Sequence, residues 1–166
     1  MTWTFRPAAR DDLDDVVRLL NEAGSRLEQR GLDQWGEGWM TPDRMAPMIA
    51  AGETFVVDDG AGHLLATVSL STTPDQDFWT TAEQQQPALY LSKLARANEV
   101  AGVGEWTLDQ AVTHAARAGY PRVRLDAWAT NERLHEYYRR RGWRHLRTMD
   151  VEGRRSGALF ERPTGV

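Results

Sequence analysis

The sequence has no cysteine. Disulfides, a thiolate nucleophile and cysteine-based metal sites are therefore excluded. Its four histidines are scattered, which argues against a structural zinc site, and no metal is expected. No apolar run approaches the roughly 20 residues that a membrane-spanning helix needs. The opening Met1-Thr2-Trp3-Thr4-Phe5-Arg6 runs into acidic residues and lacks a signal-peptide pattern. The expectation is a cytoplasmic protein with no membrane partner. Repeats, low-complexity tracts and linkers are also missing. What remains is 166 residues, the length of one domain. Residues 1–166 are read as a single domain, able to bury roughly 70% of its unfolded surface.

Charge is unevenly spread around a net value of −4. Residues 117–155 hold eleven arginines against five acids, and the remainder holds nine basic residues against nineteen acidic ones. One end would suit a polyanion and the other a cationic ligand. Solvated surface of mixed sign is the plainer reading for most of these charges.

Hydrophobic spacing gives the order of elements. A strand over 2–6 ends at Pro7. Asp11 is expected to cap a helix that runs to about residue 30, with Leu13, Val16, Val17 and Leu20 on its buried face. Residues 31–39 read as a loop that carries Trp35 and Trp39 among glycines and acids. Thr41 and Pro42 open a second helix, which ends before Gly52. Runs 53–58 and 63–70 flank Asp59-Gly60-Ala61-Gly62 as a hairpin. A long polar loop over 71–87 holds Phe78 and Trp79. A strand over 88–95 precedes a glycine turn and a helix over about 102–118. In the strand over 122–128, Val123, Leu125 and Ala127 face one way; Arg124, Asp126 and Trp128 face the other. A helix from Asn131 to Gly142 and a hairpin over 143–161 complete the chain. This order predicts a mixed α/β (α+β) sheet.

The stretch around residues 93–142 is where chemistry is expected. Gly102 and Gly104 sit where a strand turns into a helix. Backbone N–H groups at a helix start lack intrahelical acceptors, and the helix dipole favours anions there. Strand, glycine turn and helix start make a phosphate cradle; a tight turn without a ligand is the plain alternative. Asn131, Leu134 and Tyr138 share one helix face, and Gly142 fits a helix-ending glycine. Asn131 as a simple cap and Tyr138 as a core tyrosine are the structural alternatives.

Two motifs carry a family resemblance. Glu99-Val100-Ala101-Gly102-Val103-Gly104 is similar to a Gln/Arg-x-x-Gly-x-Gly/Ala turn. Asn131, Leu134, Tyr138, Gly142 and Trp143 follow the pattern Asn-x-x-Ala-x-x-x-Tyr-x-x-x-Gly-Phe. Together, in order and at this separation, they resemble the GCN5-related N-acetyltransferase (GNAT) superfamily. The resemblance implies a mostly antiparallel central sheet flanked by helices, with splayed fourth and fifth strands. It implies acetyl-CoA as co-substrate, with backbone groups of Leu94 and Arg96 on the pantetheine arm. Val100, Ala101, Gly102, Val103, Gly104 and Glu105 would cradle the pyrophosphate, and Asn131 would contact the cofactor arm. Glu99 departs from the family pattern. A carboxylate repels pyrophosphate, and Arg96 is the cation nearby in sequence.

The resemblance implies direct attack of a primary amine, of a small molecule or a peptide N-terminus, on the thioester. An amine with pKa about 10.4 is neutral only about once in a few thousand molecules at pH 7, so a proton must be removed. Tyr138 is assigned as the acid or hydrogen-bond donor at the leaving thiolate. Asp126 is assigned as the base. An ion pair of Asp126 with Arg124, or water relayed to Glu53 or Tyr90, is the alternative. Trp35, Trp39, Phe78 and Trp79, with Asp33, Glu37, Asp75 and Asp77, are expected to surround a cationic, partly apolar acceptor. A homodimer is compatible with the resemblance. Two other readings stay open: a non-catalytic acyl-CoA-binding module, and a nucleic-acid binder using the aromatic and arginine-rich run 137–144. The acidic remainder argues against nucleic acid as partner.

Overall fold

The computed structural model describes residues 2–32 and 38–166. Among them, the strands are β1 (Thr4–Pro7), β2 (Thr54–Asp58), β3 (Leu64–Ser71), β4 (Leu89–Arg96), β5 (Arg122–Trp128), β6 (Arg144–Thr148) and β7 (Ser156–Pro163). The helices are α1 (Leu13–Gln29), α2 (Pro42–Ala50), α3 (Thr81–Gln84), α4 (Val103–Arg117) and α5 (Glu132–Arg140). The strands are hydrogen-bonded in the order β1-β2-β3-β4-β5-β7-β6. β4 and β5 run parallel and pair at Leu89↔Val123 and Tyr90↔Arg124. The β1–β2, β2–β3, β5–β7 and β6–β7 ladders are antiparallel. This is the mixed sheet that the order of elements predicts, and it is mostly antiparallel as the resemblance implies. No helix among the described residues is long and apolar enough to cross a membrane.

The chain divides into two compact units, Met1–Leu70 with Lys93–Ala111, and Ser71–Ser92 with Val112–Val166. In the first, α1 and α2 bury Val16, Leu19, Leu20 and Met45 with Val56 of β2. Thr41 caps α2 as expected, its hydroxyl accepting from the Arg44 N–H at 3.3 Å. The start of α1 differs from expectation. Asp12, not Asp11, holds the turn: its carboxylate accepts from the Ala9 N–H at 2.7 Å and from Arg6 at 2.7 and 3.1 Å. Asp12 has Arg6 as a partner, and a carboxylate held by two donors outcompetes one held by a helix end alone.

In the second unit, β5 and β7 pair along their length, Arg124 opposite Glu161 and Leu125 opposite Phe160. α5 ends as the sequence predicts. Gly142 takes φ 86°, its N–H reaches the Arg139 carbonyl at 3.2 Å, and the Trp143 N–H reaches Tyr138 at 3.1 Å. These two bonds form a Schellman motif, which needs the left-handed backbone that glycine adopts without strain.

The segment read as a long loop is more ordered than its composition suggests. Thr80 caps the short helix α3, accepting from the Glu83 N–H at 3.1 Å, while the Glu83 carboxylate accepts from the Thr80 N–H at 2.9 Å. The Thr80-Thr81-Ala82-Glu83 spacing is a capping-box signature that was present in the sequence.

Candidate functional site

In the first unit, the segment between β4 and α4 forms the glycine turn. Lys93 on β4 has φ 54°, a left-handed value uncommon outside glycine. Gly102 has φ 81°, and its carbonyl accepts from the Trp106 N–H at 3.1 Å. Val103 is fully buried with Val57, Leu65 and Ala66, with Val100 and Trp106 packed alongside, so the turn is anchored from below. The first turn of α4 therefore offers the dipole and N–H directions that favour an anion. A Cβ added at Gly104 would lie 3.2 Å from Cδ of Arg96. The Arg96 stem thus lies against Gly104, and its guanidinium donates to the carbonyls of Ala97 at 3.2 Å and Asn98 at 3.4 Å.

A second arginine belongs here that sequence reasoning did not select. Arg26 of α1 donates to the Arg96 carbonyl at 2.5 Å, across 70 residues of chain. Burial and the neighbouring Arg96 lower its pKa, while Glu22 and Glu99 raise it. Arg26 therefore stands in the field of Glu99, the carboxylate that departs from the family pattern. Leu94 is half-buried on the same strand, and the Arg96 carbonyl is engaged by Arg26.

In the second unit, Arg124, Asp126 and Trp128 share one face of β5 as expected. The expected alternative pairing of Asp126 with Arg124 is not where Arg124 goes. Its guanidinium donates to Glu161 at 2.8 Å, the Glu83 carbonyl at 2.8 Å, the Tyr90 hydroxyl at 3.1 Å and the Gln86 side chain. Asp126 is half-buried, and its carboxylate is hydrogen-bonded to Ser156. Burial raises its pKa, Ser156 opposes that rise, Asp75 adds to it and Arg154 opposes it.

Tyr138 of α5 is 7% exposed. Its ring lies 5.5 Å from Tyr137, 5.8 Å from Trp143 and 5.4 Å from Phe160. Burial lifts its pKa well above the ordinary phenol value, and the fields of Tyr137 and Asp126 add to that. Asp126 and Tyr138 are thus electrostatically coupled. Asn131 caps α5, its side-chain oxygen accepting from the Leu134 N–H at 3.1 Å.

The aromatic residues expected around an acceptor fall in different settings. Trp35, Asp33 and Glu37 lie outside the described residues. Trp39 packs against the α1–α2 core, its indole donating to the Leu20 carbonyl at 3.1 Å. Phe78 and Trp79 are 1% and 2% exposed and pack on Leu159, with Tyr90 and Leu146 beside them. Arg154 lies 4.5 Å over Phe78, and Arg124 lies 5.0 Å over Trp79. Asp75 and Asp77 are both paired with Arg154. The indole N–H of Trp79 is buried with no hydrogen-bond partner among the described residues, at a cost of about 1–3 kcal/mol. No group of histidine, cysteine, aspartate or glutamate able to hold a metal ion occurs among the described residues.

Comparison with known proteins agrees with this arrangement. Residues 14–143 match the acetyltransferase (GNAT) family. The chain is 30% identical over 148 residues to YesJ, an uncharacterised N-acetyltransferase of Bacillus subtilis (strain 168), covering 84% of this chain and 81% of that protein. Its fold is similar to that of a GNAT-family acetyltransferase from Listeria monocytogenes, with a TM-score of 0.80 at 22% identity over 97% of this chain and 94% of the other. It is also similar to yncA of Salmonella typhimurium, a putative acetyltransferase solved with its cofactor acetyl-CoA, with a TM-score of 0.72 at 14% identity over 100% and 96% of the two chains. The glycine turn, the capped helix α5 and the match over most of its length make this chain a member of the GNAT acetyltransferase family.

Proposed function

We propose that the chain transfers the acetyl group of acetyl-CoA directly to a primary amine, of a small molecule or a peptide N-terminus. The observation that carries this is the anchored glycine turn at the start of α4 with Arg26 and Arg96 beside it. These residues fit a pyrophosphate: the helix start favours negative charge, only the flexible Arg96 stem lies over Gly104, and Arg26 and Arg96 supply two cations. The family match runs through segments of both compact units, which supports residues 1–166 acting as one acetyltransferase domain.

When bound, acetyl-CoA supplies an acyl group activated as a thioester. The chain's own residues then have two tasks. Asp126 accepts the proton of the incoming ammonium, and its raised pKa brings it closer to the working range of a general base. Tyr138 is held neutral by burial, so it acts as a hydrogen-bond donor toward developing negative charge on sulfur rather than as a free proton source. Trp35 and Trp39 are proposed to meet the acceptor.

Internal pairing supports the enzyme reading over nucleic-acid binding. Arg139 and Arg140 pair with Glu136, Arg144 with Glu161, Arg147 with Glu83 and Arg154 with Asp75. Much of the basic charge of residues 117–155 is thereby spent within the fold.

The test is calorimetric titration of acetyl-CoA into wild type and Gly104→Glu. It is followed by thiol release with spermidine, phenethylamine, glutamate and a dipeptide. The Cβ at position 104 meets only the flexible Arg96 stem, so the variant is expected to fold. Binding by wild type that the variant loses, with thiol release on any of the amines, supports the proposal. Binding without turnover would favour an acyl-CoA-binding module, and no wild-type binding would overturn both. Asp126→Asn is expected to slow turnover by about 10²–10⁴-fold.

A further inference from the structure

The β5–β7 ladder breaks register at one place. Its register with β5 runs Asp126↔Leu159 and Ala127↔Ala158, then jumps to Trp128↔Ser156. Gly157 is the extra residue of a β-bulge. In an unbroken strand Ser156 would point with Ala158, to the face of Ala127. The bulge reverses that parity and turns Ser156 to the face of Asp126 and Trp128. Its position is tightly fixed. A Cβ at Gly157 would lie 2.2 Å from the Met149 carbonyl oxygen, so no side chain fits. The Gly157 carbonyl accepts from the Met149 N–H at 2.8 Å, and the Ala129 N–H donates to the Arg155 carbonyl at 3.0 Å on the other side.

We propose that Ser156 is a positioning residue: its hydroxyl donates to the Asp126 carboxylate and holds it as the base, and the Gly157 bulge turns Ser156 to that task. The proposal rests on the reading of Asp126 given above. Three other groups act on Asp126. Asp75, from the segment before α3, opposes its charge. Arg154, from the β6–β7 turn, favours its charge while paired to Asp75 and Asp77. Tyr138, from α5, is the third and is itself kept neutral by burial. Against this balance, a hydroxyl donor selectively stabilises the ionised carboxylate and fixes its direction.

The test is a carboxyl ¹³C NMR titration of the full chain in wild type, Ser156→Ala, Ser156→Cys and Ser156→Thr, with Asp126→Asn identifying the resonance. The Asp126 midpoint is expected to rise in Ser156→Ala and to return in Ser156→Thr, which keeps the hydroxyl. Ser156→Cys is nearly isosteric and a weak donor, so it gives the same reading without a cavity. With the four amines above, Ser156→Ala is expected to lower kcat by about tenfold and to move the acidic limb of its pH profile upward. An unchanged Asp126 midpoint in folded Ser156→Ala or Ser156→Cys overturns the proposal. Full turnover by Asp126→Asn overturns the base assignment instead, and the titration still decides whether Ser156 holds the carboxylate.

Discussion

Tyr138 and Asp126 show how one packing decision sets two chemical roles. Both lose water on folding, and loss of water always favours the neutral form. For a phenol that means a stronger hold on its proton; for a carboxylate it means greater basicity. The same burial that suits Asp126 to take a proton therefore unsuits Tyr138 to give one away. Tyr138→Phe keeps the ring in its contacts with Trp143 and Phe160 and removes the hydroxyl. We expect kcat to fall by about 10²-fold with little change in the KM for acetyl-CoA or in the unfolding temperature. A wild-type kcat would exclude the hydroxyl from the reaction. Tyr138 stood out in the sequence because it shares one helix face with Asn131 and Leu134. Arg26 and Ser156 were not. Arg26 meets the glycine turn across 70 residues, and Ser156 faces Asp126 only because a bulge reverses its strand parity.

Among the elements, periodicity revealed nearly the whole order, since most helices and strands bury one face. Thr41 with Pro42, and Gly142, marked their helix ends through local chemistry that needs no tertiary partner. The segment before β4 escaped this reading. Its composition is polar, and what orders it are arginines from β5, β6 and the β6–β7 turn. Arg147 donates to Glu83 at 2.7 and 3.0 Å and to the Phe78 carbonyl at 2.8 Å. Its guanidinium is the main reason the Glu83 carboxyl drops from 4.5 to about 2. A depressed carboxylate contributes stability that is present above its unfolded value and is lost as pH falls through the folded one. Urea unfolding should therefore show a loss of about 2 kcal/mol between pH 4.5 and pH 2 that Glu83→Gln lacks. Equal pH dependence in both proteins would remove this pair from the acid response. Arg124 is the clearer surprise at this scale. The alternation of β5 put it on the face away from the core, yet it is 1% exposed because the α3 segment covers that face.

For the molecule as a whole, a net charge of −4 would repel a polyanionic co-substrate at long range. The local cations Arg26 and Arg96 and the α4 dipole must outweigh that field at the turn. A ligand bound to the folded state alone stabilises it by about 2.7 kcal/mol at a hundredfold excess over Kd. For a chain of this size that corresponds to a rise in Tm of about 5–10 °C with acetyl-CoA, and to a rise that shrinks in Gly104→Glu. An equal rise in both proteins would place the ligand elsewhere. The arginine ties around α3 have a consequence for how the molecule breathes. Arg124 fastens the Glu83 carbonyl, Gln86 and Tyr90 to Glu161. Opening that segment alone would strand a buried cation, which is costly enough to forbid local fraying. The amide protons of residues 83–90 should then exchange with deuterium as slowly as those of β5 and β7, because they are freed by the same global event. Fast exchange there with a slow β5 would mean that the segment opens on its own. A stretch composed like a surface loop would thus keep time with the centre of the sheet.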